Sequence, residues 1–170
     1  MEARVLRPQE GRSYAALRVE EFRERTSSCR APELQKELEA LARGPDQLIA
    51  TYMATATALW GAFDGGMLVG TVAVSRRLSA HVWPYLWMWG LYVRPAYRGT
   101  AASRLLVNPA FAWCEHQPPQ HRLFGAYDVL NLRARRFCDR HGFGAFAGHE
   151  VAFELPRPRG FTLVERPRGI

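Results

Sequence analysis

The chain has 170 residues, 48% hydrophobic and 23% charged, with Lys+Arg 23 against Asp+Glu 16 and a net charge of +7. That composition can bury a core and excludes a disordered tail. Lys36 is the single lysine, so the other 22 basic residues are arginines. A Walker-type phosphate loop is excluded, because its Gly-Lys-Ser/Thr step needs a lysine and Lys36 sits in Gln35-Lys36-Glu37. A Schiff-base enzyme would have to use that same residue, on what reads as a solvated helix face.

In chain order, Ala3 to Arg7 alternates and predicts a short opening strand. Residues 9–25 predict a helix, with Ala15, Val19 and Phe22 at helical spacing and arginines and glutamates opposite. Pro32 to Arg43 predicts a second helix: Pro32 suits the first turn, Leu34, Leu38 and Leu41 form a stripe, and Gly44 suits the end. Pro45 to about Ala56 predicts a third, carrying Leu48, Ile49, Tyr52 and Met53. Leu59 to Phe63, Asp64-Gly65-Gly66, then Met67 to Ser75 is a strand–turn–strand signal. Tyr85 to Val93 is a very aromatic strand, and Gly90 inside it marks a bulge or a close backbone approach. From Arg98 to about His116 the pattern is helical, with Asn108-Pro109 expected to kink or restart it. Arg122 to Tyr127 predicts a strand and Asn131 to His141 a helix. Gly148 to Leu155 and Phe161 to Glu165 predict two strands across a Pro-Arg-Pro-Arg-Gly turn. Helices and hairpins mixed in this way predict a mixed α/β sheet. With no internal repeat and no long linker, residues 1–170 are expected to form one domain, 156–170 being a final hairpin strand and basic tail.

The three cysteines, Cys29, Cys114 and Cys138, are odd in number and far apart. Met1-Glu2-Ala3-Arg4 leads straight into charged sequence, so no signal peptide and a cytoplasmic location are expected. Residues 47–63 carry no charge, but Thr51, Thr55, Thr57 and Gly61 argue for a helix followed by a strand, not a membrane span. Motifs of zinc proteases, serine hydrolases and dinucleotide dehydrogenases do not occur. His116, His121, His141 and His149 show no metal spacing, and no metal is expected.

Residues 91–103, from Leu91-Tyr92-Val93 through Arg94-Pro95-Ala96-Tyr97 to Arg98-Gly99-Thr100-Ala101-Ala102-Ser103, carry the most chemistry. A strand ends, Pro95 turns the chain, and small residues open a helix. The N–H groups of a helix's first turn have no intrahelical acceptor, and the helix dipole there favours negative charge. Small side chains let a phosphate approach them, and Arg98 adds a charge-assisted fork. The stretch alone equally suits an ordinary strand–loop–helix. A second motif breaks the tie: Asn131-x-Arg133-Ala134-x-x-Phe137-Cys138-x-x-x-Gly142-Phe143, a helix with an asparagine cap and a glycine stop.

In this order, the two motifs resemble the GNAT superfamily of N-acetyltransferases over residues 59–155. The pattern there is Val-x-Pro-x-Tyr-Arg-Gly-x-Gly-x-Gly/Ala entering a helix, then Asn-x-x-Ala-x-x-Phe-Tyr-x-x-x-Gly-Phe. Tyr14 to Glu20 on the first helix also looks like the family. The resemblance implies a mostly antiparallel sheet of about seven strands, flanked by four to five helices and splayed between the fourth and fifth strands. It implies acetyl-CoA as acyl donor, with the pyrophosphate on the N–H groups of Arg98, Gly99, Thr100, Ala101, Ala102 and Ser103. The pantetheine arm would pair with Leu91, Tyr92 and Val93. Asn131 matches the asparagine that contacts this arm, and Phe137 the aromatic beside the cofactor. Arg133, with Arg135, Arg136 and Arg140, suits a solvated helix or the 3′-phosphate.

The sequence departs from the family at three places. Ala101 and Ser103 stand for glycines, which crowds the pyrophosphate but leaves the N–H groups in place. Cys138 stands for the tyrosine proposed to protonate the leaving thiolate, and is either a short acid or a small buried apolar residue, the latter preferred. Pro109 interrupts the helix. The expected reaction is direct attack of an amine on the thioester, with strand N–H groups polarising the carbonyl. Glu20, Glu21, Asp128 and His81 are base candidates, each also suited to a surface or capping role; ordered water could relay the proton instead.

Trp83, Tyr85, Trp87 and Trp89 are expected mainly in the core, one or two of them reaching an acceptor cleft. The acceptor is a small-molecule or peptide amine, with neither nucleic acid nor membrane expected and a homodimer open through the terminal hairpin. Two alternatives stand beside the enzyme: a non-catalytic acyl-CoA sensor, and a basic nucleic-acid module prompted only by charge. The charge is local, since residues 131–140 and 156–170 each hold four arginines against one acidic residue.

Overall fold

A computed structural model describes residues 1–24, 32–55, 57–77, 84–146 and 161–167. The features expected at Cys29, His81, Trp83 and His149, the strand over 148–155, the turn after it and the last residues, 168–170, lie outside the described residues. The elements are β1 (Glu2–Val5), α1 (Gly11–Glu24), α2 (Pro32–Arg43), α3 (Pro45–Ala54), β2 (Thr57–Asp64), β3 (Met67–Arg77) and β4 (Tyr85–Val93). They continue with α4 (Ala102–Glu115), β5 (Leu123–Asp128), α5 (Leu132–Arg140), β6 (Gly144–Ala145) and β7 (Phe161–Arg166). Short 3-10 turns at Pro8–Glu10 and Pro95–Tyr97 precede α1 and follow β4. The strands form a seven-stranded sheet in the order β1-β2-β3-β4-β5-β7-β6, mostly antiparallel and parallel between β4 and β5. This is the mixed fold that the motifs imply. Among the described residues no helix is long and apolar enough to cross a membrane.

Contacts divide the chain into two compact units. The first comprises Met1–Val74 and Gly90–Phe111. Here β1 pairs antiparallel with β2, from Glu2↔Phe63 to Val5↔Trp60. Gly65 and Gly66 both have positive φ, 53° and 83°, the pair that a type I′ hairpin turn requires between β2 and β3. The helical phase of α1 differs from expectation. Ala15, Val19 and Phe22 are only half-buried, while Gly11, Tyr14, Leu17, Arg18 and Glu21 form the buried face. The helix turns two charged residues inward because partners wait there, as described below.

The helix expected from Arg98 starts at Ala102, because Gly99 takes a left-handed φ of 79° that ends any helical run before it. Pro109 neither restarts nor ends α4, which runs on as one helix, so Asn108 is not a cap. A helix-interior proline costs about 3 kcal/mol. Leu106, Val107 and Ala110 around it are fully buried, and that packing offsets the cost.

The second unit comprises Ser75–Trp89 and Ala112–Ile170. β7 runs antiparallel to β5 from Leu123↔Arg166 to Asp128↔Phe161, and carries β6 on its other side through Gly144↔Glu165 and Ala145↔Val164. A two-residue strand has no readable periodicity, which is why β6 is not legible in the sequence. β4 joins β5 in parallel register at Leu86↔Leu123 and Trp87↔Phe124. Of the aromatics Tyr85 is buried and meets Phe124 edge-on at 5.9 Å, Phe146 meets Phe124 at 5.2 Å, and Trp87, half-buried like Trp89, packs against them. Trp89 donates its indole N–H to Ser75 Oγ at 2.8 Å.

Candidate active site

The strand that opens the site is bent by one residue. Gly90 has φ 62°, a left-handed conformation that costs a side-chain-bearing residue about 1–2 kcal/mol. Its carbonyl accepts a hydrogen bond from Thr71 Oγ1 at 3.1 Å, which fixes the bend. Beyond it Leu91 is half-buried, and Tyr92 and Val93 are buried. Arg94 N–H donates to the Val69 carbonyl at 2.9 Å, so the chain is held to β3 up to the turn.

The turn then delivers the chain to α4. Tyr97 N–H bonds the Arg94 carbonyl, and Thr100 Oγ1 donates to the Tyr97 carbonyl at 2.6 Å. The same hydroxyl accepts the Ala102 N–H at 3.2 Å, making Thr100 a side-chain cap. The ladder of α4 begins with Leu105 N–H on the Ala101 carbonyl. Ser103 and Arg104 therefore stand in the first turn, whose N–H groups lack intrahelical acceptors. Gly99 borders open space: a methyl added there would meet nothing within 4 Å. Small residues, a positive helix end and open space together form a geometry that accepts an anion.

Two ion pairs tie this loop to α1. Arg94 forks onto Glu20, with Nε at 2.9 Å and Nη2 at 2.7 Å. Arg98 donates Nε to the Val93 carbonyl at 2.8 Å and both terminal nitrogens to the Glu24 carboxylate, Nη1 at 2.6 Å. Glu24 also accepts from Tyr92 Oη at 3.0 Å. Burial, together with that carboxylate, pushes the Tyr92 phenol up to about 12, so it remains a donor at neutral pH.

Beside Gly90, where an added methyl would touch the Arg18 guanidinium, lies a buried polar cluster that the sequence reading missed. Arg18 and Glu21 of α1 are 4% and 3% exposed and bond each other. Arg18 also grips Glu37 of α2 with Nε at 3.0 Å and Nη2 at 2.7 Å. The other oxygen of Glu37 accepts from Tyr14 Oη at 2.6 Å and Tyr52 Oη at 3.3 Å. Burial by itself would lower the Arg18 pKa; Tyr14, Glu21 and Glu37 reverse that and raise it. Burial likewise pushes the Tyr14 phenol well above its usual range. A signal was present in the sequence: Glu37 falls three residues after Leu34, on the apolar stripe of α2, where a carboxylate needs a buried partner.

In the second unit, Asp128 closes a turn. Its Oδ1 accepts the Leu130 N–H at 2.7 Å, and its carbonyl accepts the Asn131 N–H at 2.8 Å. Asn131 caps α5 as expected, with Oδ1 accepting the Ala134 N–H at 3.0 Å. The cap uses its side-chain oxygen, and an asparagine carries two amide N–H donors besides. Arg133, Arg135, Arg136 and Arg140 are all exposed on α5. Phe137 is half-buried against His141, ring centroids 4.4 Å apart. Cys138 is buried, and that burial pushes its thiol up to about 11. Among the described residues no group of histidine, cysteine and carboxylate side chains could hold a metal ion.

Each carboxylate candidate is thus engaged: Glu20 by Arg94, Glu21 by Arg18, and Asp128 Oδ1 by the single backbone N–H of Leu130. For Cys138, a thiol pushed up to about 11 by burial is a weaker acid than an ordinary thiol near about 8.5, so proton donation to a leaving thiolate is uphill. Cys138→Ala is therefore expected to keep most of the activity. A fall on the order of a hundredfold in turnover, as loss of a general acid gives, would contradict this.

A family model, the acetyltransferase (GNAT) family, matches residues 16–143. No curated protein sequence matches. Solved structures share the fold at low identity. An acetyltransferase of the GNAT family from Staphylococcus aureus Mu50 is 15% identical, covers 97% of this chain and 97% of its own, and gives a TM-score of 0.72. The ribosomal-protein-alanine N-acetyltransferase from Brucella melitensis is 13% identical, with 98% and 99% covered and a TM-score of 0.70. The PaiA N-acetyltransferase from Thermoplasma acidophilum, solved in complex with coenzyme A, is 13% identical, with 98% and 99% covered and a TM-score of 0.66.

Proposed function

The chain belongs to the acetyltransferase (GNAT) family, whose members use acyl-CoA, and from that premise we propose that it transfers an acetyl group from acetyl-CoA to a primary amine. The observation that carries the donor assignment is the entry into α4: Thr100 caps it, its first residues are small, and open space surrounds Gly99. On this reading the pyrophosphate lies on the N–H groups of residues 98–103; those of Arg98, Thr100 and Ala102 donate within the loop, to the Pro95 carbonyl, the Tyr97 carbonyl and Thr100 Oγ1, and would change partner. Leu91, Tyr92 and Val93 offer backbone groups to the pantetheine arm, Asn131 offers its amide N–H and Phe137 an apolar wall. Arg133 is assigned to the 3′-phosphate. The whole of 1–170 is read as one acyltransferase domain.

Acetyl-CoA supplies a thioester carbonyl open to attack by a neutral amine. This chain's part is to position that carbonyl, with β4 N–H groups near the Gly90 bend as donors to the developing oxyanion. With Glu20, Glu21 and Asp128 engaged, the amine proton leaves through ordered water. The acceptor is a small-molecule or peptide amine. An N-acetyltransferase acting on ribosomal-protein alanine shares the fold, which supports including peptide N-termini among candidates.

Millimolar acetyl-CoA is expected to raise the melting temperature by about 5–10 °C, the shift for a ligand near a hundred times its Kd and a chain of this size. Folded protein that shows no shift would remove the donor assignment. An amine panel, followed by release of free CoA thiol, then tests turnover. Binding with no thiol release for any amine class would leave a sensor in place of an enzyme.

A further inference from the structure

Arg98 has two claimants. It is the cation that opens the loop assigned to the pyrophosphate, yet its guanidinium is bonded to the Glu24 carboxylate through both terminal nitrogens. Three of its nitrogens are engaged, Nε by the Val93 carbonyl and the others by Glu24, which also neutralises its charge. The pair is not buried: the side chains are 21% and 37% exposed, so a polyanion can reach it and the bond is exchangeable. Tyr92 holds Glu24 by a separate bond at 3.0 Å, so the carboxylate keeps a donor when Arg98 departs. Glu20, one helical turn earlier, stays forked to Arg94 and keeps α1 against the loop.

We propose that Glu24 is an internal competitor for the donor's phosphates, holding Arg98 and yielding it when the pyrophosphate arrives. The exchange swaps one charge-assisted fork for another at the same guanidinium, so the fork itself gains little. Glu24 thereby sets donor affinity below what the loop could reach and favours release of the CoA product. It acts through Arg98 and is a positioning residue. This deepens the acyl-CoA assignment above and rests on it.

The test is calorimetric titration of the full chain with CoA and with pantetheine, which lacks the phosphates. Variants are Glu24→Gln, Arg98→Ala and the double substitution. Glutamine keeps an acceptor for Tyr92, and thermal melts check that each variant is folded. Glu24→Gln is expected to bind CoA about two- to fivefold more tightly, the range for a partly exposed ion pair, and pantetheine unchanged. Because the exchange gains little, Arg98→Ala is expected to leave CoA binding within about twofold of wild type and to cancel the Glu24→Gln gain, so that the double substitution binds CoA like Arg98→Ala alone. Equal or weaker CoA binding by Glu24→Gln overturns the competitor role, as does an equal gain for pantetheine or in the Arg98→Ala background. Wild-type protein that binds no CoA overturns the donor assignment, and the competitor role with it.

Discussion

Ser103→Asp is expected to melt no lower than the wild type and to bind CoA about a hundredfold more weakly. The opposite directions come from one field. Ser103 is the second residue of α4, in the turn whose unpaired N–H groups make the helix end positive. A carboxylate there interacts favourably with the helix dipole and adds about 0.3–1 kcal/mol of stability. The same charge then occupies the position assigned to the pyrophosphate, and like charges brought together at a site cost several kcal/mol. Ser103→Asn, of the same size and neutral, is expected to bind CoA within about threefold of wild type, which separates charge from crowding. Circular dichroism melts and calorimetric titration read the two effects independently. Unchanged CoA binding by a folded Ser103→Asp would place the phosphates elsewhere.

Arg18→Ala is expected to destabilise the protein by about 3–5 kcal/mol, the cost of removing one partner from a buried ion pair. Arg18 is 4% exposed and bridges Glu21 of its own helix to Glu37 of α2. Its loss strips a counter-charge from both carboxylates and opens a cavity between α1 and α2. Against a typical stability of 5–15 kcal/mol this is a large fraction. Urea denaturation should show a lower midpoint with the slope nearly unchanged. Adding Glu21→Gln and Glu37→Gln should recover much of the loss, because the buried charges that needed Arg18 are then gone. A loss under about 1 kcal/mol would mean the cluster is hydrated, not buried. The cluster accounts for the two charged residues on the buried face of α1, where they lie with the fully buried Tyr14 and Leu17.

The sequence by itself determined the elements whose causes are local. Gly65-Gly66 forms its hairpin turn because positive φ at both positions is a property of those residues. Asn131 caps α5 and Gly142 follows its end for the same kind of reason. The order of the two motifs was enough to suggest the family, and the strand–loop–helix entry carries its anion chemistry in its own backbone. The tertiary structure decided what depends on distant partners. Arg98 reads as a phosphate ligand from its neighbours in sequence, but its carboxylate partner, Glu24, is 74 residues away. Glu21 reads as a candidate base and is bonded to Arg18 in the core, while Glu37, which the sequence reading passed over, is held by two tyrosines and an arginine. Pro109 reads as a break and sits inside a helix, because the burial of Leu106, Val107 and Ala110 outweighs one missing hydrogen bond. β7 takes its place between β5 and β6 by pairing with segments distant from it in sequence, Arg166 with Leu123 and Glu165 with Gly144. Periodicity and turn chemistry act over a few residues and can be read along the chain. The choice of partner for a charge, and of the face a helix buries, is made only when separate segments meet and compete for the same contacts.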